Sequence, residues 1–121
     1  IYLKLKDFPQ AISAYQKALD IAPDDFYNQF RRGYTAIEYG DAMNQELNSI
    51  TSTTEYNKAL EEVNAMYASG LPYLEKAHEL DPKNAATVEL FKNLSFRLRD
   101  YDGMQTKYEK YNELFKSMSA E

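Results

Sequence analysis

One segment occurs twice in this chain, and each time a proline closes it. Ala11-Ile-Ser-Ala-Tyr15-Gln-Lys-Ala18-Leu-Asp-Ile-Ala-Pro23 returns as Gly70-Leu-Pro-Tyr-Leu74-Glu-Lys-Ala77-His-Glu-Leu-Asp-Pro82. Both copies read as a small residue, three residues, a large apolar or aromatic residue, two residues, Ala, four residues, Pro. A helix brings residues three and four apart onto one face. Ala11, Tyr15 and Ala18 therefore form one stripe, and Gly70, Leu74 and Ala77 form its copy. The small members let a second helix approach, and the large one fills the space between the two backbones. Pro23 and Pro82 end each helix, because proline lacks an N–H and clashes with the preceding turn. A proline-closed amphipathic helix that recurs marks a repeat unit, which cannot bury its apolar face alone and stacks on its neighbours.

The composition agrees with a packed helical object. The 121 residues suit one domain, and eleven tyrosines and six phenylalanines are many aromatics for a disordered chain. Four glycines and four prolines are few for a β-rich one. Lys and Arg number 14 against 19 Asp and Glu, a net charge of −5 that repels phosphate and disfavours nucleic acid or an anionic membrane surface as partner. The absence of cysteine removes disulfide and thiolate chemistry and is compatible with cytoplasm or periplasm. No apolar run is long enough to span a membrane, so no membrane insertion is expected. The chain opens at Ile1, without Met and partway through a motif, and the expectation is that further residues precede it.

Along the chain, Ile1 to Lys6 reads as the end of a helix. Asp7, with Gln10 three residues on and Pro9 in the tolerant first turn, can cap the next, which runs to about Ala22. Asp24 or Asp25 caps a helix from Phe26. Its stripe Phe26, Phe30, Gly33, Ile37, Gly40, Met43, Leu47, Ile50 keeps phase through Gly40, which predicts a helix to about Ser49. Ser52 and Glu55 have capping-box spacing. From there the stripe Tyr56, Leu60, Val63, Tyr67, Gly70, Leu74, Ala77, Leu80 makes the second arm of an antiparallel hairpin. Pro72 either kinks that arm or starts a new helix after a break at Ser69-Gly70. The unbroken stripe favours a kinked, continuous helix. Asn84 caps a helix to about Arg99 that carries Val88, Phe91, Leu94 and Leu98. A last helix, about Asp102 to Met118, carries Met104, Tyr108, Tyr111, Leu114 and Phe115.

These residues resemble the tetratricopeptide repeat, a helix–turn–helix unit of 34 residues with Trp-x2-Leu-Gly-x2-Tyr on its first helix, then Ala-x3-Phe, Ala and a closing Pro. Ala11, Tyr15, Ala18 and Pro23 match the second helix of one unit; Gly33, Gly70, Leu74, Ala77 and Pro82 match the next. Gln29 and Arg32 stand where the pattern has Trp and Leu. Val88, Phe91, Ser95, Met104, Tyr108 and Tyr111 make a weaker third unit with no closing Pro, as a terminal unit does. Pro23 and Pro82 are 59 residues apart by subtraction, about 25 more than one 34-residue repeat. The resemblance thus implies an all-α fold of antiparallel helix-hairpin repeats, a superhelix of about five helices, with residues 1–25 a partial repeat, 26–84 a repeat with about 25 extra residues, and 85–118 a terminal repeat. The extra turns lengthen the middle hairpin by roughly 15–20 Å at 1.5 Å per residue. The chain also resembles the bacterial members of this family whose units carry lengthened hairpins of this kind.

No chemistry is written into the chain. His78 is the lone histidine and lacks the companions a metal needs. Glu61-Glu62 reads as solvated surface and Asp24-Asp25 as a cap. Asp81-Pro-Lys-Asn84 lacks the further oxygens of a calcium loop, and there is no phosphate-cradling glycine loop or activated nucleophile. We expect no enzyme activity and no cofactor or metal. The resemblance implies instead a concave groove lined by the first helix of each unit, which takes a partner peptide or helix. Carried onto this chain, the groove residues are Tyr27, Phe30, Arg31, Tyr34, Ile37 and Glu38, then Glu89, Asn93, Phe96 and Arg97. The partner-binding set is Tyr27, Phe30, Arg31, Tyr34, Glu38, Asn93 and Arg97. Phe30, Tyr34 and Phe96 read equally well as packing against a neighbouring unit, while Arg31, Glu38 and Arg97 read as exposed. Family members that grip a C-terminal carboxylate use Lys, Asn and Arg on this face; only Asn93 and Arg97 suit that role here. The expected function is a protein-interaction scaffold. The alternative is self-association through the open N-terminal edge or the long hairpin, with no peptide ligand.

Overall fold

The computed structural model describes residues 7–101 and 103–119, and every regular element among them is helical. The order is α1 (Asp7–Ile21), α2 (Phe26–Glu46), a 3-10 turn (Leu47–Ser49), α3 (Thr53–Ser69), α4 (Leu71–Leu80), α5 (Ala85–Arg97) and α6 (Met104–Ser119). Each sequential pair packs as neighbours, α1 on α2, α2 on α3 and α4, α4 on α5, and α5 on α6. This is the architecture of stacked helical hairpins. The helix expected over Ile1 to Lys6 lies outside the described residues, as does the residue that precedes α1. Asp7, expected as a cap, is itself helical.

The other starts follow from side chains that satisfy orphan N–H groups. Asp25 accepts from the Asn28 N–H at 3.1 Å, Ser52 from Glu55 at 3.3 Å, and Asn84 from Thr87 at 3.0 Å. Gly103, at φ 79°, turns the chain into α6, a conformation that costs glycine nothing. Asn44 and Tyr56, on the two arms of the long hairpin, are both helical.

The second arm departs from expectation. It is two helices, α3 and α4, and not one kinked helix. Pro72 has no N–H with which to continue the ladder, and α4 starts with that proline in its first turn. Gly70 nevertheless keeps right-handed helical dihedrals (φ −83°, ψ −17°) and donates back to Tyr67 and Ala68. The ladder is interrupted, yet Val63, Tyr67, Gly70, Leu74 and Ala77 are all buried, so the stripe stays in phase.

Small residues sit where the arms cross. A Cβ on Gly33 would stand 2.8 Å from the Leu74 side chain, and one on Gly70 would stand 2.9 Å from the Gly33 carbonyl. Ala77 is fully buried and Ala18 half-buried, as the stripe requires. The main core gathers Leu47, Val63, Tyr67, Leu74, Val88, Phe91, Leu94, Leu98 and Tyr111. Each such aliphatic or aromatic side chain contributes about 1.5–3 kcal/mol when fully buried. Phe8 stacks on Tyr39 at 5.0 Å and joins α1 to α2.

The buried face of α2 is rotated from the expected stripe. Gln29, Arg32, Gly33, Ala36 and Gly40 are buried, while Phe26, Phe30 and Ile37 are half-buried. Gln29 satisfies its amide on the Pro23 carbonyl at 2.7 Å. The Arg32 guanidinium lies 4.4 Å from the Tyr73 ring centroid, with its Nε and Nη1 unpartnered. The two positions that departed from the repeat pattern are therefore interior ones, each with its own polar compensation.

Candidate functional site

The expected groove residues fall into two groups on either side of α2. The first lies toward α1. Arg31 donates from Nε to the Tyr15 hydroxyl at 3.3 Å, stands 5.1 Å from the Tyr34 ring centroid, and is 3.8 Å from Glu38 Oε1. Phe30 meets Phe26 edge-on at 5.9 Å and Tyr34 at 6.0 Å. These contacts are consecutive turns of one helix face, which is why the sequence brings them together. Arg31 and Glu38 keep 30% and 37% of their side-chain surface, less exposed than expected because they hold each other and Tyr15. The hydrogen bond with Tyr15 is the main reason the Arg31 pKa is raised above its ordinary value, against the opposing effect of burial. Tyr27 projects from the first turn of α2, 64% exposed.

The second group lies toward α5. Ile37, Asp41 and Tyr67 face Leu90, Asn93, Leu94 and Arg97 across a cleft of about 220 Å³. Tyr67 is fully buried, and its hydroxyl donates to Asp41 Oδ1 at 2.5 Å. The Arg97 guanidinium covers its ring at 4.7 Å. Burial, then the Asp41 carboxylate, pushes the Tyr67 pKa well above its ordinary value, so the phenol remains a donor. Asn93 and Arg97 are exposed at the cleft. Phe96 is 46% exposed; it packs on Tyr108 at 5.0 Å and lies under Arg99 at 4.1 Å.

Asp41 and Tyr67 were not among the expected site residues. Asp41 follows Gly40, and the pair resembles a helix stop. Read as interior helix, it stands one turn beyond Ile37 on the same face, and that spacing is the signal that places it in the cleft.

A family model described as Tetratricopeptide repeat matches residues 1–25. That match, with the all-helical stack of hairpins, likens the chain to proteins of the tetratricopeptide-repeat type. No curated protein matches the chain. A tetratricopeptide repeat suggests a protein-interaction scaffold. His78, on the far side of α4, packs edge-on against Tyr111 at 5.6 Å. Among the described residues no three His, Cys, Asp or Glu side chains are grouped to hold a metal, and no helix is long and apolar enough to cross a membrane.

Proposed function

We propose that this repeat protein is an interaction scaffold that takes a partner peptide or helix along the face made by α2 and α5. The observation that carries the reading is the cleft itself. Two first-of-pair helices from successive units bring an apolar residue, Ile37, and exposed hydrogen-bonding groups, Asn93 and Arg97, to one place. Arg and aromatic side chains are the groups that most often anchor protein interfaces, and Tyr27, Phe30, Arg31, Tyr34 and Glu38 add a second group on the side of α2 toward α1. On this reading, residues 1–25 are a partial repeat, 26–84 one repeat with a lengthened hairpin, and 85–118 a terminal repeat.

The test is capture of a partner from a lysate by the immobilised chain, compared with Arg97→Ala and with Tyr34→Ala. Both variants leave buried apolar groups in place, and far-ultraviolet circular dichroism checks that they fold. A partner held by the parent chain and lost from both variants supports the groove. Undiminished capture by both removes it. Light scattering over a concentration series measures the alternative, self-association without a ligand.

A further inference from the structure

The long arm α3 packs on α2 along one side. Its other side passes the corner between α5 and α6 and leaves a second cleft, of about 290 Å³. Leu98 is buried at its base, Leu71 and Met104 are half-buried beside it, and Ala65, Ala68 and Tyr101 are exposed at its mouth. It shares no residue with the cleft between α2 and α5.

Three features say what would cover it. Among the described residues the lining is apolar except for Glu61, Asn64 and the Tyr101 hydroxyl, and Glu61, the single charged one of them, has no side-chain hydrogen bond or ion pair. Glu61, Asn64, Ala65 and Ala68 follow one another at helical spacing along about 10 Å of α3, so the cleft runs along a helix axis. Between Glu61 and Leu71 that face carries nothing larger than Asn64, which lets a partner backbone come close. The volume admits one large side chain.

We propose that this cleft docks an amphipathic helix of a partner protein, which inserts one Leu, Met or Phe over Leu98 and sets a Lys or Arg one turn away against Glu61. The unpaired carboxylate beside an apolar floor selects that pairing of side chains, and the net charge of −5 favours a cationic partner over a second copy of the chain. The mode is a helix laid in a groove, with one anchor residue supplying affinity and the rim charge supplying orientation.

The experiment uses three amphipathic helical peptides of equal helicity. Each has a central Phe, with Lys, Ala or Glu four residues away, and binding to the chain is followed by fluorescence anisotropy and by amide shifts. The Lys peptide should bind about threefold more tightly than the Ala peptide and about tenfold more tightly than the Glu peptide, in line with an exposed ion pair. Shifts should centre on Ala65, Ala68 and Tyr101. Ala68→Trp, at an exposed position that fills the mouth, should abolish binding while leaving the melting curve unchanged. Glu61→Lys should reverse the order of the peptides. Equal binding of all three, no binding, shifts confined to α2 and α5, or a homodimer lost on Ala68→Trp would each overturn the proposal.

Discussion

Gly40 lies against the ring of Tyr67 so closely that a Cβ at residue 40 would stand 2.7 Å from two ring carbons. The ring cannot withdraw, because it is fully buried and its hydroxyl is held by Asp41. Helix propensity alone favours alanine over glycine here by about 1 kcal/mol. Packing reverses the sign. Gly40→Ala should destabilise the chain by about 1–3 kcal/mol, as overpacking does, read as a fall in the urea midpoint. A rise would show that Tyr67 yields.

Ala77 lies on the packed face of α4 and is fully buried. Ala77→Glu brings a carboxylate into that face without a partner and should unfold the chain or cost several kcal/mol, on the order of 3 or more. Glu62 is exposed on α3, and Glu62→Ala should leave the thermal midpoint unmoved. Equal effects of the two changes would contradict the assigned helix faces.

Arg32 is 9% exposed, and two of its guanidinium nitrogens have no hydrogen-bond partner among the described residues. Removing a buried charge while keeping its volume is often stabilising. Arg32→Leu should raise stability by about 1 kcal/mol despite the lost contact with the Tyr73 ring. Arg32→Ala should lower it, because a cavity replaces the side chain. Denaturant melts of the two variants should therefore move in opposite directions.

The raised pKa of Tyr67 links stability to alkaline pH. A phenol that ionises less readily in the folded chain contributes stability that is complete below its unfolded pKa, 10.0, and is lost as pH rises beyond it toward the higher folded value. Tyr111, also raised by burial, acts in the same direction. Stability should fall above about pH 10, and Tyr67→Phe should shallow that fall while lowering the plateau at neutral pH. Parallel pH profiles for the parent and Tyr67→Phe would refute the assignment.

The fold was legible because its signals are local. Ser52 and Asn84 could be named as caps from one side chain each, and the stripe from Leu60 to Ala77 from spacing alone. Between a kink and a break at Gly70, spacing favours the kinked helix, because spacing reports phase, and phase survives an interruption in which the glycine stays helical. The inward turn of Gln29 and Arg32 was missed because it depends on the Pro23 carbonyl and the Tyr73 ring, partners 6 and 41 residues away by subtraction. At the candidate site, the cluster around Arg31 was readable as consecutive turns of one helix. The bond from Tyr67 to Asp41 spans 26 residues and two helices, and periodicity within one helix says nothing of it.

The pause in the ladder at Gly70 separates length from alignment. Turns added to or removed from α3, together with a matching change in α2, alter how far the arm reaches while leaving Leu74 and Ala77 aimed at the same neighbours. The protein thus has a reach that can be tuned independently of the stack that supports it, so homologous or engineered chains can differ in arm length and still share a base.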